Sequence, residues 1–132
     1  MSGVATHDAA LIDRILAMRA RWIEVEPGKS VRLVRPAEVQ VGARFVRPSS
    51  VPGQVTLNVE LAEVQEFVTG WKGITEADIA GAAGASDVEP AFSRELWSVV
   101  VEDRADWMNT VAKGLLDLIV EHQQTRAAAA KN

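Results

Sequence analysis

The hydrophobic period of this chain changes near Trp22. Leu11, Ile12, Ile15, Leu16, Met18 and Trp22 recur in steps of three and four, which lays them on one broad stripe of a helix. Residues 1–5 read as a frayed start, and Thr6 or Asp8 is placed to cap that helix. Beyond it, Ile23-Glu24-Val25-Glu26 and the run from Lys29 to Pro36 flank Pro27-Gly28, a dipeptide suited to the middle of a type II turn. Proline presets a negative φ and glycine accepts a positive one, so two short antiparallel strands are expected there. A helix leading into a hairpin commits the chain to an α+β fold. The stripe itself needs covering: the chain's own core is the expected cover, and a dimer seam the alternative.

Arg32, Arg35, Arg44 and Arg47 recur through this region without interleaved aromatic side chains, which favours a solvated face over a nucleic-acid site. The alternation from Glu38 to Phe45 predicts a further strand. An all-helical fold would need residues 38–46 to be helix. Pro48-Ser49-Ser50-Val51-Pro52-Gly53 forms a loop, and Gln54-Val55-Thr56-Leu57 predicts one more short strand. Asn58 then reads as the cap of a helix through Leu61, Val64, Phe67 and Val68 that stops at Gly70, with Trp71 folded back over its last turn.

Thr75-Glu76-Ala77-Asp78 has the form of a capping box and opens a short helix ending by Gly81. Gly81 to Ser86 carries few side chains to pack and is expected to be mobile or moulded by a partner. Ser93 caps a helix bearing Leu96, Trp97, Val100 and Val101, which breaks at Asp103-Arg104-Ala105-Asp106. Trp107, Met108, Val111, Leu115, Leu118 and Ile119 then keep helical spacing to about His122. Gly114 inside this last helix predicts a close crossing with another helix.

At 132 residues the chain makes one domain, with a helix plus β-hairpin region at 1–57, a mainly helical region at 58–124 and a frayed tail at 125–132. Lys+Arg 14 against Asp+Glu 18 leaves a net charge of −4, which disfavours nucleic acid and anionic membranes as partners. Lys113, Asp117 and Glu121 give the last helix mixed charge, unlike a DNA recognition helix. Without cysteine there is no disulfide, thiolate nucleophile or Cys-based zinc site. Asp78, Asp87 and Glu89 match no cation-binding register, and His7 and His122 stand apart, so no metal, no cofactor and no catalytic residues are expected. No apolar run is long enough to span a bilayer and no secretion signal is recognisable, so no membrane partner and a cytosolic location are expected.

The order of helix, Val68-Thr69-Gly70-Trp71-Lys72-Gly73-Ile74, Thr75-Glu76-Ala77-Asp78, Pro90-Ala91-Phe92-Ser93-Arg94-Glu95-Leu96-Trp97, acidic break and terminal amphipathic helix resembles the tail assembly chaperones and related small tail proteins of long-tailed bacteriophages. The likeness covers approximately residues 58–122 and rests on Trp71, Gly73, Ile74, Phe92, Ser93 and Trp97. It departs from the family between Asp78 and Pro90, where members often have a tight turn. The resemblance implies a non-enzymatic protein of the infected cell's cytoplasm that coats the helical tape-measure protein and helps recruit tail-tube subunits. A structural subunit of the virion tail, neck or head is the alternative, and a homo-oligomer is compatible with either. The aromatic residues form an internal cluster or anchor a partner; Phe67, Trp71, Ile74, Phe92, Trp97 and Trp107 are the candidate partner-binding residues.

Overall fold

A computed structural model describes residues 2–81 and 86–130, with residues 2–7 described in backbone only. The elements run α1 (Ser2–Met18), β1 (Ala20–Glu26), β2 (Lys29–Val34), α2 (Glu38–Gln40), β3 (Val46–Pro48), β4 (Val55–Leu57), α3 (Leu61–Val64), β5 (Val68–Lys72), α4 (Glu76–Ala80), α5 (Arg94–Glu102) and α6 (Ala105–Ala130). Five strands among short and long helices make the fold α+β, as the change of period predicts. Helix α1 begins at Ser2, ahead of the expected cap, and ends before Trp22, which lies on β1.

The hairpin forms where Pro27-Gly28 places it. Gly28 has φ +80°, and β1 pairs antiparallel with β2 from Ala20↔Val34 to Glu26↔Lys29, with a bulge at Val25. The third strand of that sheet, β5, comes from the stretch expected to end a helix. After α3 the chain tightens into a 3₁₀ turn, Gln65–Phe67, and then extends so that Val31 faces Trp71 and Leu33 faces Val68, with Thr69 bulged between. Gly70 is therefore a strand residue opposite Arg32 rather than a helix stop, and Trp71 lies in the sheet rather than over a helical turn. Glu60, not Asn58, precedes α3, its backbone N–H donating to Glu63.

The expected strand at Glu38–Phe45 is helical instead. Helix α2 runs on as a single π-helical turn, Val41–Phe45, which brings Val41 and Phe45 to the core and leaves Val39 and Ala43 exposed, where a strand would set all four on one face. Only Val46–Pro48 extends as a strand, and it pairs with β4 in a separate two-stranded ribbon. Helix α4 carries the predicted cap, with Thr75 Oγ1 accepting from Asp78 N, and it stops at Gly81 with φ +65°. Residues 82–85 of the Ala/Gly-rich connection lie outside the described residues.

Ser93 Oγ accepts from Leu96 N at 3.0 Å and opens α5, and the break before α6 falls at Asp103-Arg104 as expected. Helix α6 continues past His122 to Ala130, so the tail expected to fray is helical there. It crosses the sheet rather than another helix at Gly114: a Cβ on Gly114 would meet Ile23 Cδ1 of β1 at 2.9 Å. The core lies between the inner face of the sheet, with Val31, Leu33 and Val68, and the apolar sides of α5 and α6.

Candidate functional site

Five of the six residues singled out as partner anchors are sealed into this core. Ile74 and Trp97 are fully covered, Trp107 is 1% exposed, and Phe67 and Trp71 are each 7% exposed. Phe92 is half-buried against them. The three buried indoles are fixed by their neighbours. Trp71 stacks edge-on against Phe92 and donates from Nε1 to Pro90 O at 2.9 Å, which ties the connection before α5 to the sheet. Trp97 and Trp107 lie parallel, 6.5 Å apart, joining α5 to α6, and Arg104 covers the Trp107 ring at 3.9 Å. Phe67 meets Phe45 edge-on at 5.9 Å. Phe67, Trp71, Ile74, Trp97 and Trp107 thus build the core between sheet and helices, and Phe92 packs against it.

The surface left for a partner is elsewhere. Along α1, Leu11, Ile12, Ile15 and Leu16 are 51%, 55%, 44% and 46% exposed, and Met18 is 85% exposed. The expected core packing of this stripe does not occur. Helix α1 leaves the body at its last turn, where Arg19 N donates to Leu16 O and Arg19 O accepts from Arg35 N, so backbone hydrogen bonds tie the end of the helix to the end of β2. The fourth indole, Trp22, stays 42% exposed on the outer face of the sheet, with Lys72 Nζ 4.2 Å above its ring.

Between the end of α1 and α6 runs a groove of about 490 Å³. It is lined by the apolar Ile15, Met18 and Leu118 together with the charged Arg19, Arg35 and Glu121. Burial and the neighbouring Arg19 push the Arg35 guanidinium below the usual arginine range. Arg21 is engaged by Glu121, whose hydrogen bond raises the arginine and holds the carboxylate below its ordinary value. His122 is not solvated alone: its Nε2 lies 2.8 Å from Glu38, which Arg126 also meets at 3.1 Å. The side chain of His7 lies outside the described residues.

The remaining arginines form no common patch. Arg44 is clamped by Glu63 and Glu66 over the Phe45 ring, Arg32 donates to Thr69, and Arg47 to its neighbour's carbonyl. Asp78 closes its own cap and faces Lys29 at 3.6 Å, while Glu89 accepts from Gly73 N. Among the described residues no cluster of three or more acidic or histidine side chains is arranged to hold a metal ion. No described helix is long and apolar enough to cross a membrane.

Comparison with family models, with curated proteins and with solved structures finds no match.

The sequence stripe on α1 was readable by its spacing. The groove was not, because Arg35, Leu118 and Glu121 converge with α1 only through the hairpin and the path of α6. Their signal in sequence is a single buried leucine one turn before a His/Glu pair, which any surface helix shows.

Proposed function

We propose that this chain is a non-enzymatic binding protein of phage tail assembly, which receives an amphipathic helix of an elongated client such as the tape-measure protein. The observation that carries the binding part is the unpartnered apolar face of α1 beside the α1–α6 groove. Soluble domains rarely leave four large aliphatic side chains in a row half-exposed unless another chain covers them, and a helix laid in an apolar groove is an established mode of recognition. The tail-assembly part rests on the resemblance over residues 58–122. In the fold those residues supply strand, caps and core, and Leu118 and Glu121 also line the groove, so the likeness covers the scaffold and the α6 side of the groove, while the apolar face of α1 lies outside it.

Affinity purification of the tagged chain from infected cells tests the reading. The tape-measure protein is expected in the eluate, with tail-tube subunits behind it, and its loss is expected when Leu11 and Ile15 are both replaced by Asp. Recovery of no phage protein would overturn the proposal. Stoichiometric amounts in purified particles would favour the structural-subunit alternative, whereas a chaperone is present there in traces only.

A further inference from the structure

Helix α1 carries charge inside its apolar face, and the placement is regular. Asp8, Ile12, Ile15 and Arg19 follow one another at steps of four, three and four, the spacing of a coiled-coil seam. Leu11, Leu16 and Met18 flank that line. Asp13 and Arg14 fall on the opposite side of the helix. Arg19 continues the last turn through its hydrogen bond to Leu16 O. Asp8 is exposed, Arg19 is half-buried, and neither takes part in an ion pair among the described residues.

We propose that two copies of this chain pair through α1 as an antiparallel, two-fold symmetric seam, with Asp8 of each copy against Arg19 of the other. Residues whose numbers sum to 27 stand opposite in this register, so the axis passes between Asp13 and Arg14. Ile12 then meets the partner's Ile15, and Ile15 meets the partner's Ile12. Leu11 lies beside the partner's Met18, and Leu16 beside the partner's Ala9, a large side chain against a small one. A parallel seam would set Asp8 against Asp8 and Arg19 against Arg19, two repulsions in place of two attractions, so the charges select the antiparallel form. The groove at the C-terminal end of α1, lined in part by Arg19 and Arg35, receives the first turns of the partner's helix and the carboxylate of the partner's Asp8.

The seam also satisfies the closed symmetry of a homodimer, since one patch serves both copies. Its strength follows from its length: 17 residues give a helix of roughly 25 Å, which buries an area at the low end of specific interfaces. Dimerisation is therefore reversible and concentration-dependent. The inference stands apart from the client reading, because it needs no phage protein to be true.

Sedimentation equilibrium of the full chain, from micromolar to millimolar concentration at low salt, tests it. The wild-type chain is expected to pass from 14.3 kDa to twice that mass. Asp8→Arg and Arg19→Asp, each alone, place like charges opposite each other twice and are expected to raise the dissociation constant about tenfold or more. An equimolar mixture of the two variants restores both attractions and is expected to dimerise as the wild type does. Circular dichroism verifies that each variant keeps the fold, which is secured by α1 lying outside the core. A wild-type chain that stays monomeric at millimolar concentration would overturn the inference, as would single variants that dimerise as tightly as the wild type or a mixture no tighter than its components.

Discussion

Gly73 joins β5 to the cap of α4 with φ +78°, and a Cβ there would fall 2.0 Å from Gly28 O, in the hairpin turn. Both the left-handed backbone and the opposing carbonyl exclude a side chain, and neither can move without shifting the hairpin. Gly73→Ala is expected to destabilise the fold by about 2–3 kcal/mol, read as a lowered urea midpoint. Gly114→Ala is expected to cost less, since the nearest atom is the end of the Ile23 side chain and alanine favours the helix. The stacked pair Trp97 and Trp107 is the other sensitive point. Each is a large side chain at 0–1% exposure, and neither indole N–H has a hydrogen-bond partner among the described residues. Trp107→Ala should remove about 3–5 kcal/mol, whereas Trp107→Phe, which also deletes the unpaired N–H, should cost less in the same denaturant titration.

Helix α6 is pinned to the rest of the molecule by side chains outside the core. Glu121 pairs with Arg21 of β1, Asp106 and Glu26 hold Arg104, and Glu38 bonds His122 and Arg126. Hydrogen bonds from His122, Arg104 and Arg21 hold Glu38, Asp106 and Glu121 below their ordinary values of 4.5, 3.8 and 4.5. A carboxylate depressed in the folded state contributes stability that is fully present above its unfolded value and is lost as pH falls through the folded one. The thermal midpoint is thus expected to hold level from pH 8 to about 5 and to fall below about 4.5, and Glu38→Gln should soften that fall. Salt should weaken the same contacts, because they are exposed. Helix α1 stands in contrast. Among the described residues it lends no buried side chain to the core, so deletion of residues 1–18 should leave the cooperative melt of the body within a few degrees of the full chain, as followed by circular dichroism.

At the scale of the molecule, one surface serves two proposed occupants. Both proposed occupants, the client helix and the partner's α1, would cover Ile15 and the groove beside Leu118, so self-pairing would keep the apolar face out of water until a client displaced it. A fluorescently labelled peptide of the client's helix should bind the monomeric Arg19→Asp chain without the concentration lag shown by the wild type, whose dimer must first dissociate. Equal binding curves for the two chains would separate the client site from the seam.

Local chemistry was sufficient for several features of the amino-acid sequence to be read directly. Pro27-Gly28 implied the hairpin, Thr75 and Ser93 the starts of α4 and α5, Asp103 the break before α6, and the spacing of Leu11 to Leu16 an amphipathic helix. Each of these depends on backbone torsion, a cap or a period within a few residues. What the tertiary structure decided depends on pairing across long separations. Residues 68–72 became a strand because the open edge of β2, about 40 positions earlier, supplies hydrogen bonds that no helix end could match. Residues 38–45 became helical because that conformation turns Val41 and Phe45 into the core while leaving Val39 and Ala43, which a strand would place on the same face, in solvent. The aromatic side chains went inside and the stripe of α1 stayed out for one reason: α5 and α6 already fill the inner face of the sheet, and a helix joined to its edge strand by one backbone turn has nowhere left in the same molecule to bury its apolar side.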